Sequence, residues 1–539
     1  MTERNYWVVS PNVKNNEEEA DWKEFLSKNP YSFIGWDENN SFGNTFINLI
    51  RKGDVIINAQ RKNWIPTVFG AGIVQNDKSE WMESEEIPSP AHSRLLKPYL
   101  NKEQVLNLKL DFEGTAYYGN NKQIPAIYRL HPNTNHKDKD LVEIIEGKLK
   151  MAEQNEYINN FVNLLIENKN IILTGAPGTG KTHLARQMAK KIIGVNTDEE
   201  LEQSGRFAFV QFHPSYDYTD FVEGLRPTQT DESNMIGFEL KNGIFKDFCI
   251  QASTVNAFTV GEIINFTVED FEKYLVELGL NERTIYNYKS SIEKLSGEKL
   301  TKSQKLEIPR FDSLSKICEN YEAIKSFDID NNQHHNFASA VKNLIQFKYI
   351  LENSQKNTTH EKPPFVFIID EINRGEISKI FGELFFSIDP SYRGKKGSVK
   401  TQYSNLHDSD SESFYIPENV YIIGSMNDID RSVESFDFAM RRRFTWVEIS
   451  SEKSAEYMNL PEPIKNKMSS LNKTISSIAG LNDSYHVGGA YFLDSDGQPR
   501  EDYDNVWNLR IEPLLKEYLR GMPDSEEKFN ELKTAYIES

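Results

Sequence analysis

The stretch ILTGAPGTGKTHLA, residues 172–185, decides the fold. NIILTG, residues 170–175, is a short apolar run ending in glycine, the pattern of a buried strand entering a tight turn. Gly175, Ala176, Pro177, Gly178, Thr179, Gly180, Lys181 and Thr182 then match GxxxxGK[ST], and His183 continues into the helical pattern THLARQMAKKI. Strand, glycine loop and helix in that order make a phosphate cradle. The glycines let backbone N–H groups close around a β-phosphate at a helix N-terminus, Lys181 reaches the β and γ oxygens, and the Thr182 hydroxyl binds Mg²⁺. INNFVNLLI, residues 158–166, reads as an amphipathic helix leading into the strand.

Such a loop needs acidic groups on a second strand for the metal and the attacking water. PFVFIIDEINRG, residues 364–375, supplies an apolar strand ending in Asp370 and Glu371. Asp370 is expected to hold Mg²⁺ and Glu371 to polarise water. A third strand, NVYIIGSMND, ends near Asn427, whose amide is placed to orient water or a γ-phosphate. In FDFAMRRRF, Arg441, Arg442 and Arg443 crowd one helix end. One arginine there complements a helix dipole; three suggest a finger, Arg442 or Arg443, reaching the transferring phosphoryl group of a neighbouring subunit.

These strings carry a resemblance. IIDEINRGEISKIFGEL with YIIGSMNDIDRSVESFDFAMRRRF is similar to the AAA+ domain of the McrB-type GTPases, the motor subunits of modification-dependent restriction systems. FHPSYDYTDFVEGLRP (212–227), YHVGGAYF (485–492) and NLRIEPLLKEYL (508–519) resemble other segments of that family, so the likeness covers about residues 155–255 and 362–525. The family's signature loop usually reads MNTADRS. Here Asn427, Asp430, Arg431 and Ser432 are kept while Asp428 and Ile429 depart. The resemblance implies a hexameric ring that hydrolyses GTP with Mg²⁺, roles for Asp430 and Arg431 at that site, and a separate McrC-type partner carrying the nuclease. Spacing and composition leave GTP and ATP both open. A MoxR-like AAA+ ATPase that remodels protein complexes is the alternative.

The bulk composition fits this reading. The 539 residues allow about three domains. No apolar run approaches the length of a membrane span, and the N-terminus lacks a signal-peptide pattern, so no membrane association and a cytoplasmic location are expected. Cys249 and Cys318 stand apart, without the pairing of a zinc site or a disulfide framework. A net charge of -19 restricts nucleic-acid contacts to local patches of Lys and Arg. The D…ExK-like set Asp140, Glu146 and Lys148 falls within one helical pattern, whereas nuclease cores place such groups on separate strands, so cutting is assigned to a partner.

Between Lys181 and Asp370 lies several times more chain than a compact core needs. Residues from about 258 to 358 read as an all-helical insertion: Thr267 and Asp270 make a capping pattern, Phe271, Tyr274, Leu275 and Leu278 share a face, as do Ile285, Tyr288, Ile292 and Leu295, and then Phe337, Val341, Leu344 and Ile345. LNERTIYNYKSSIEKL with NFASAVKNLIQFKYIL loosely resembles the DNA-clamping domain of tyrosine recombinases. That resemblance makes Arg283, Lys289 and Lys294 possible phosphate contacts, with a spacer or a partner-docking surface as the alternative.

Residues 1–130 are aromatic-rich and punctuated by Gly, Pro and Asn, suggesting a small α+β barrel. YWVVSPN, FIGWD and RKGDVIINAQRKNWIPTVFGAGIV are similar to EVE-like members of the PUA superfamily, which accept a flipped modified base in an aromatic pocket. A flipped base needs a stacking face and polar groups for its edge, so Trp36, Trp7, Trp64, Asn39, Ser10 and Asn58 are the candidates for binding modified DNA. The expected organisation is a multidomain α/β protein: reader 1–130, linker 131–154, AAA+ P-loop domain 155–450 with its helical insertion, and helical lid 451–539.

Overall fold

The computed structural model describes residues 4–10, 25–26, 28–62, 65–83, 90–105, 127–134, 136–229, 236–254, 267–277, 280, 282–296, 311, 314–320, 323–324, 337, 339–341, 343–345, 347, 362–407, 413–429 and 438–539. The chain divides into two compact units, Met1–Ile158 and Asn159–Ser539.

In the first unit the strands are β1 (Tyr6–Val9), β2 (Tyr31–Ile34), β3 (Val55–Lys62), β4 (Ile65–Val74), β5 (Glu80–Met82), β6 (Ala91–Leu100) and β7 (Ile127–Arg129). They form one mixed sheet in the order β2-β6-β4-β3-β1-β7, with β5 on β6. The β1–β3 pair is parallel and the others are antiparallel. The sheet curls. Register shifts fall at Asn58/Ala59 and between Gly72 and Val74, and Asn58 Nδ2 donates 2.9 Å to Tyr31 O, joining β3 to β2, which stand three places apart in the order. Bulges bend a strand and raise its twist, which is how an open sheet is folded toward itself.

Two buried ionic groups fix the loops of this unit. Asp54 accepts from Trp7 Nε1 at 3.0 Å, from Asn5 N and Nδ2 at 3.2 and 3.1 Å, and from Arg51 N at 3.1 Å. Arg94, fully buried on β6, donates to the carbonyls of Phe46, Ile47, Ile50 and Asn76, so it caps the end of the helical turn Thr45–Leu49. The polar stretch from residue 131 leads into a long helix, α1 (His136–Asn168), whose Leu141, Val142, Ile145 and Leu149 share a core with Val8, Val55, Ile57 and Tyr128. Glu146 of that helix accepts from Arg4 and from Tyr6 Oη, each at 3.0 Å.

The second unit is built on a five-stranded, wholly parallel sheet. Its strands β8 (Asn170–Thr174), β9 (Phe207–Gln211), β12 (Phe365–Asp370), β13 (Val420–Ser425) and β14 (Thr445–Glu448) lie in the order β14-β8-β13-β12-β9. Strands β8, β12 and β13 are near-continuous Ile, Val, Leu and Phe because helices cover both faces. A separate hairpin, β10 (Glu223–Gln229) with β11 (Ile236–Asn242), precedes helix α3 (Ile244–Thr254). Helices α4 (Val268–Glu277) and α5 (Glu282–Ser296) belong to the insertion. Thr267 and Asp270 cap α4 reciprocally, and Phe271, Tyr274, Leu275, Ile285, Ile292, Leu295, Phe337, Val341 and Leu344 are buried in one cluster. Leu278 lies outside the described residues. The lid, including α6 (Ser451–Tyr457), α7 (Glu462–Ser477) and α8 (Ser525–Ile537), has its own core of Leu471, Ile475, Phe492, Trp507, Leu515 and Tyr536 among others.

Candidate nucleotide site

The site gathers at the C-terminal ends of β8, β12 and β13, where an open parallel sheet presents strand tips and helix N-termini together. The loop after β8 turns through Gly175, Gly178 and Gly180, with φ of 140°, 76° and 80°, and α2 (Lys181–Ile193) starts at once. Only glycine adopts such angles without penalty, which is why the loop can aim successive N–H groups at one point. The Lys181 ammonium lies in this loop, donating to the carbonyls of Gly175 at 3.0 Å and Ala176 at 2.9 Å, and Thr179 Oγ1 donates to Ala176 O at 3.0 Å.

Pairing of β8 with β13 and of β13 with β12 sets the acidic groups beside the loop. Thr182 Oγ1 donates to Asp370 Oδ1 at 2.9 Å, and Ser425 Oγ donates to the same oxygen. Two hydroxyls and a carboxylate are hard oxygen donors that suit Mg²⁺, which keeps several waters and takes few protein ligands. Glu371, one residue on, has φ 50° and ψ 44°, a left-handed conformation uncommon for a side chain of its size. Its Oε1 accepts from Asn427 Nδ2 at 2.8 Å, and its Oε2 pairs with Arg374 Nε at 3.2 Å. The two acids are thereby divided: Asp370 faces the hydroxyls of the phosphate loop, and Glu371 faces the amide of the neighbouring strand tip.

Further residues reach the loop without having been singled out as site groups. Asp428 N donates to Gly175 O at 3.4 Å, while its half-buried carboxyl is pushed up by desolvation, opposed by Lys181 and reinforced by Glu448. Ile429 packs on the lid core. From the lid, Gly488 N donates to Pro177 O at 3.1 Å and Ala490 N to Gly178 O at 2.9 Å. A Cβ on Gly178 would meet the Tyr491 ring at 2.6 Å, and one on Gly180 would meet Met458 Cε at 2.5 Å. His183, one of the predicted nucleotide-binding residues, faces Tyr457, with ring centroids 6.0 Å apart, and desolvation with the charge of Lys190 lowers its pKa against the opposing charge of Asp198. YHVGGAYF and the lone Ser425 were the available signals; neither the lid's docking point nor the shared carboxylate oxygen follows from spacing alone.

The three arginines have distinct surroundings. Arg441 lies over the Trp446 ring at 5.0 Å, and Arg443 over the Phe385 ring at 5.1 Å with its carbonyl accepting from Asn170 Nδ2 at 2.9 Å. Arg442 is exposed. Asp430 and Arg431 lie outside the described residues, as does Trp64.

In the first unit Trp7 is buried, its indole N–H held by Asp54, and Asn58 is fully buried. Trp36 is half-buried, with its ring 5.5 Å from Phe42, and packs against the cluster containing Trp7. Asn39 is exposed in a turn, its N–H on Asp37 Oδ1, and Ser10 is half-buried at the end of β1. The sequence reading passed over Trp81, which is 56% exposed on β5 and stands edge-on to His92 at 5.0 Å.

With this geometry in place, residues 334–444 match the AAA domain of the dynein-related subfamily, and residues 463–526 match the McrB alpha-helical lid domain. The chain is 30% identical over 389 residues to the EcoKMcrB subunit of the type IV methyl-directed restriction enzyme of Escherichia coli (strain K12), covering 69% of this chain and 58% of that protein. It is also 30% identical over 95 residues to the YdiS component of the type II restriction enzyme BsuMI of Bacillus subtilis (strain 168), covering 16% of this chain and 28% of that protein. The chain thus spans little more than half the length of the first relative and less than a third of the second. No helix among the described residues is long and apolar enough to cross a membrane. The phosphate loop, the divided acids and the helical unit seated on the loop accordingly form an AAA+ nucleotide-binding domain closed by a McrB-type lid.

Proposed function

We propose that this chain is the nucleotide-hydrolysing, DNA-recognising subunit of a modification-dependent restriction complex, acting as a ring with GTP and with a separate McrC-type nuclease subunit. The observation that carries the reading is the division of labour between Asp370 and Glu371 beneath a McrB-type lid. Thr182 and Asp370 would hold Mg²⁺, which would supply charge neutralisation on the nucleotide phosphates. Lys181 leaves the carbonyls of its own loop to pair with phosphate oxygens. Glu371 accepts a proton from the attacking water: the Asn427 amide holds its Oε1, and Oε2, paired with Arg374 at rest, turns from that pair to the water. Arg442, exposed beside two ring-stacked arginines, reaches a neighbouring copy's nucleotide. Asp430 and Arg431 complete the signature loop. In the first unit the DNA-reading surface is assigned to the Trp36 turn, with Asn39 and Ser10, because Trp7 and Asn58 are committed to the interior.

Turnover of GTP and ATP side by side, with Lys181→Ala as the inactive control, tests the assignment. A GTP preference supports it, and stimulation by a McrC-type subunit on methylated but not plain duplex completes it. An ATP preference with no DNA response moves the MoxR-like reading to the front.

A further inference from the structure

Glu371 and Arg374 are brought together by the backbone of their own turn. Ile372–Arg374 is a 3₁₀ turn that follows Glu371, closed by the Arg374 N–H donating 2.9 Å to Glu371 O. Such a turn eclipses side chains three positions apart, which sets the guanidinium over the carboxylate. Ile372 and Asn373 are buried between them, so the turn is anchored in the interior while its two charged members face outward. Arg374 Nε then lies 3.2 Å from Glu371 Oε2.

The pair is unequal. The Arg374 side chain is 47% exposed and that of Glu371 16%, so the guanidinium is the outer partner and the carboxylate the inner one. Asn427 Nδ2 holds Oε1 at 2.8 Å from the neighbouring strand tip. Both carboxylate oxygens are engaged at rest, and the orientation in which Oε2 meets an attacking water is reached when the Arg374 pair opens. An ion pair as exposed as this one is weak, so it restrains the carboxylate without blocking it.

We propose that Arg374 is a positioning residue that latches Glu371 out of its water-facing orientation, so that unstimulated turnover is limited in part by the opening of this pair. The inference rests on the reading of Glu371 as acceptor of the water's proton, and adds the group that regulates that carboxylate. Opening leaves the Asn427 contact in place, so Glu371 swings about one held oxygen, and the guanidinium moves into solvent that it already meets.

The test measures kcat and KM of the full chain with GTP, or with ATP if that is the nucleotide it hydrolyses. Arg374→Ala is expected to raise kcat by about two- to fivefold, the weight of one exposed ion pair, with KM unchanged. Arg374→Gln, which keeps the length of the side chain without its charge, is expected to do the same, and Arg374→Lys, which can re-form an ion pair, to bring kcat back toward wild type. Damage to the turn lowers kcat, so the direction of the change separates a latch from a structural role. An unchanged or lowered kcat in both Arg374→Ala and Arg374→Gln overturns the proposal. A fall of about tenfold or more in the affinity of Arg374→Ala for a fluorescent non-hydrolysable analogue does so too, because it places Arg374 on the nucleotide itself. Glu371→Gln keeps the two readings apart: retained turnover in that variant removes the base, whereas lost turnover that rises again when Arg374→Ala is added overturns the latch alone.

Discussion

Arg441, Arg442 and Arg443 are adjacent in sequence, yet their surroundings assign them different work. A guanidinium over an indole or phenyl face is held by the ring's quadrupole at some cost in reach, so Arg441 on Trp446 and Arg443 on Phe385 serve the packing of their own subunit. Arg442 is exposed, as Arg441 also is, and with Arg443 it helps lower the pKa of Asp389. Under the ring reading, Arg442→Ala lowers turnover by about 10³-fold or more while leaving nucleotide affinity nearly intact, as expected of a group that acts on the transferring phosphoryl of another copy. Arg441→Ala is expected to cost about 0.5–1 kcal/mol of stability, the range for an exposed pair, read from thermal melts. Should Arg442→Ala retain full turnover, the finger is one of the stacked arginines and must first leave its ring. The position of the acids was legible at the same scale: an apolar strand ending in Asp-Glu puts both at a strand tip, and the structure has Asp370 beside the phosphate loop. The partner of each acid, Ser425 for Asp370 and Asn427 with Arg374 for Glu371, depends on which strand tips become neighbours.

At the scale of elements, the β10–β11 hairpin is tied to the core by one buried ionic cluster. Glu223 at the start of β10 has no exposed side-chain surface. It pairs with Lys246 of α3 at 2.5 Å, meets His407 Nε2 at 2.9 Å, and accepts from Tyr403 N at 3.2 Å. Desolvation alone would raise its pKa, but Lys246, Thr401 and His407 together bring it below the usual carboxylate range. A depressed folded-state pKa means the stabilisation is present above the unfolded value and is lost as pH falls through the folded one. Melting temperature should therefore decline on acidification below about pH 4, the ordinary glutamate range, and this slope should flatten in Glu223→Gln. Glu223→Ala, which strands Lys246 in the interior, is expected to cost about 3–5 kcal/mol, whereas Glu223→Leu with Lys246→Met should recover most of it. If the single and double variants melt alike, the buried pair is not what fastens the hairpin. Helices of the insertion were readable because their apolar residues recur at helical spacing and Thr267 with Asp270 marks a start. Which of their faces remains open was not readable, since the exposed Val276 and Tyr286 continue the same apolar lettering.

Within the second unit as a whole, the lid is seated directly on the phosphate loop. Gly488 and Ala490 donate to the outer carbonyls of Pro177 and Gly178, Tyr491 and Met458 lie over Gly178 and Gly180, and Ile429 runs from the strand tip into the lid core. The Pro177 and Gly178 carbonyls accept from the lid while those of Gly175 and Ala176 accept from Lys181, so a change of loop shape that moved Lys181 would be passed to the lid through backbone hydrogen bonds. Gly488 has no room for a Cβ against the Gly178–Thr179 backbone. Gly488→Ala is therefore expected to lift the lid by the ~1–3 kcal/mol of an overpacked contact and to lower turnover by about tenfold, with the sheet and its melting transition retained. Hydrogen exchange of residues 485–492 would follow the lift, and wild-type protection in that variant would refute direct seating. The first unit, read alone, is a curled mixed sheet whose Arg94 and Asp54 fix its loops.

What the sequence determined by itself is local chemistry with fixed spacing. The glycine loop requires positive φ at Gly175, Gly178 and Gly180, an apolar strand must precede it, and helical periodicity separates the insertion from the core. Those features depend on residues near one another in the chain, so their lettering carries them. Tertiary structure decided everything that joins distant segments: Asp370 to both Thr182 and Ser425, lid residues Gly488 and Ala490 to the phosphate loop, Trp7 to Asp54 in the interior, and Arg441 and Arg443 to their ring faces. The physical reason is that a tryptophan or an arginine has the same composition signature in a core, on a ring face and in a binding pocket. Only the surface that packs against it settles which of these it becomes.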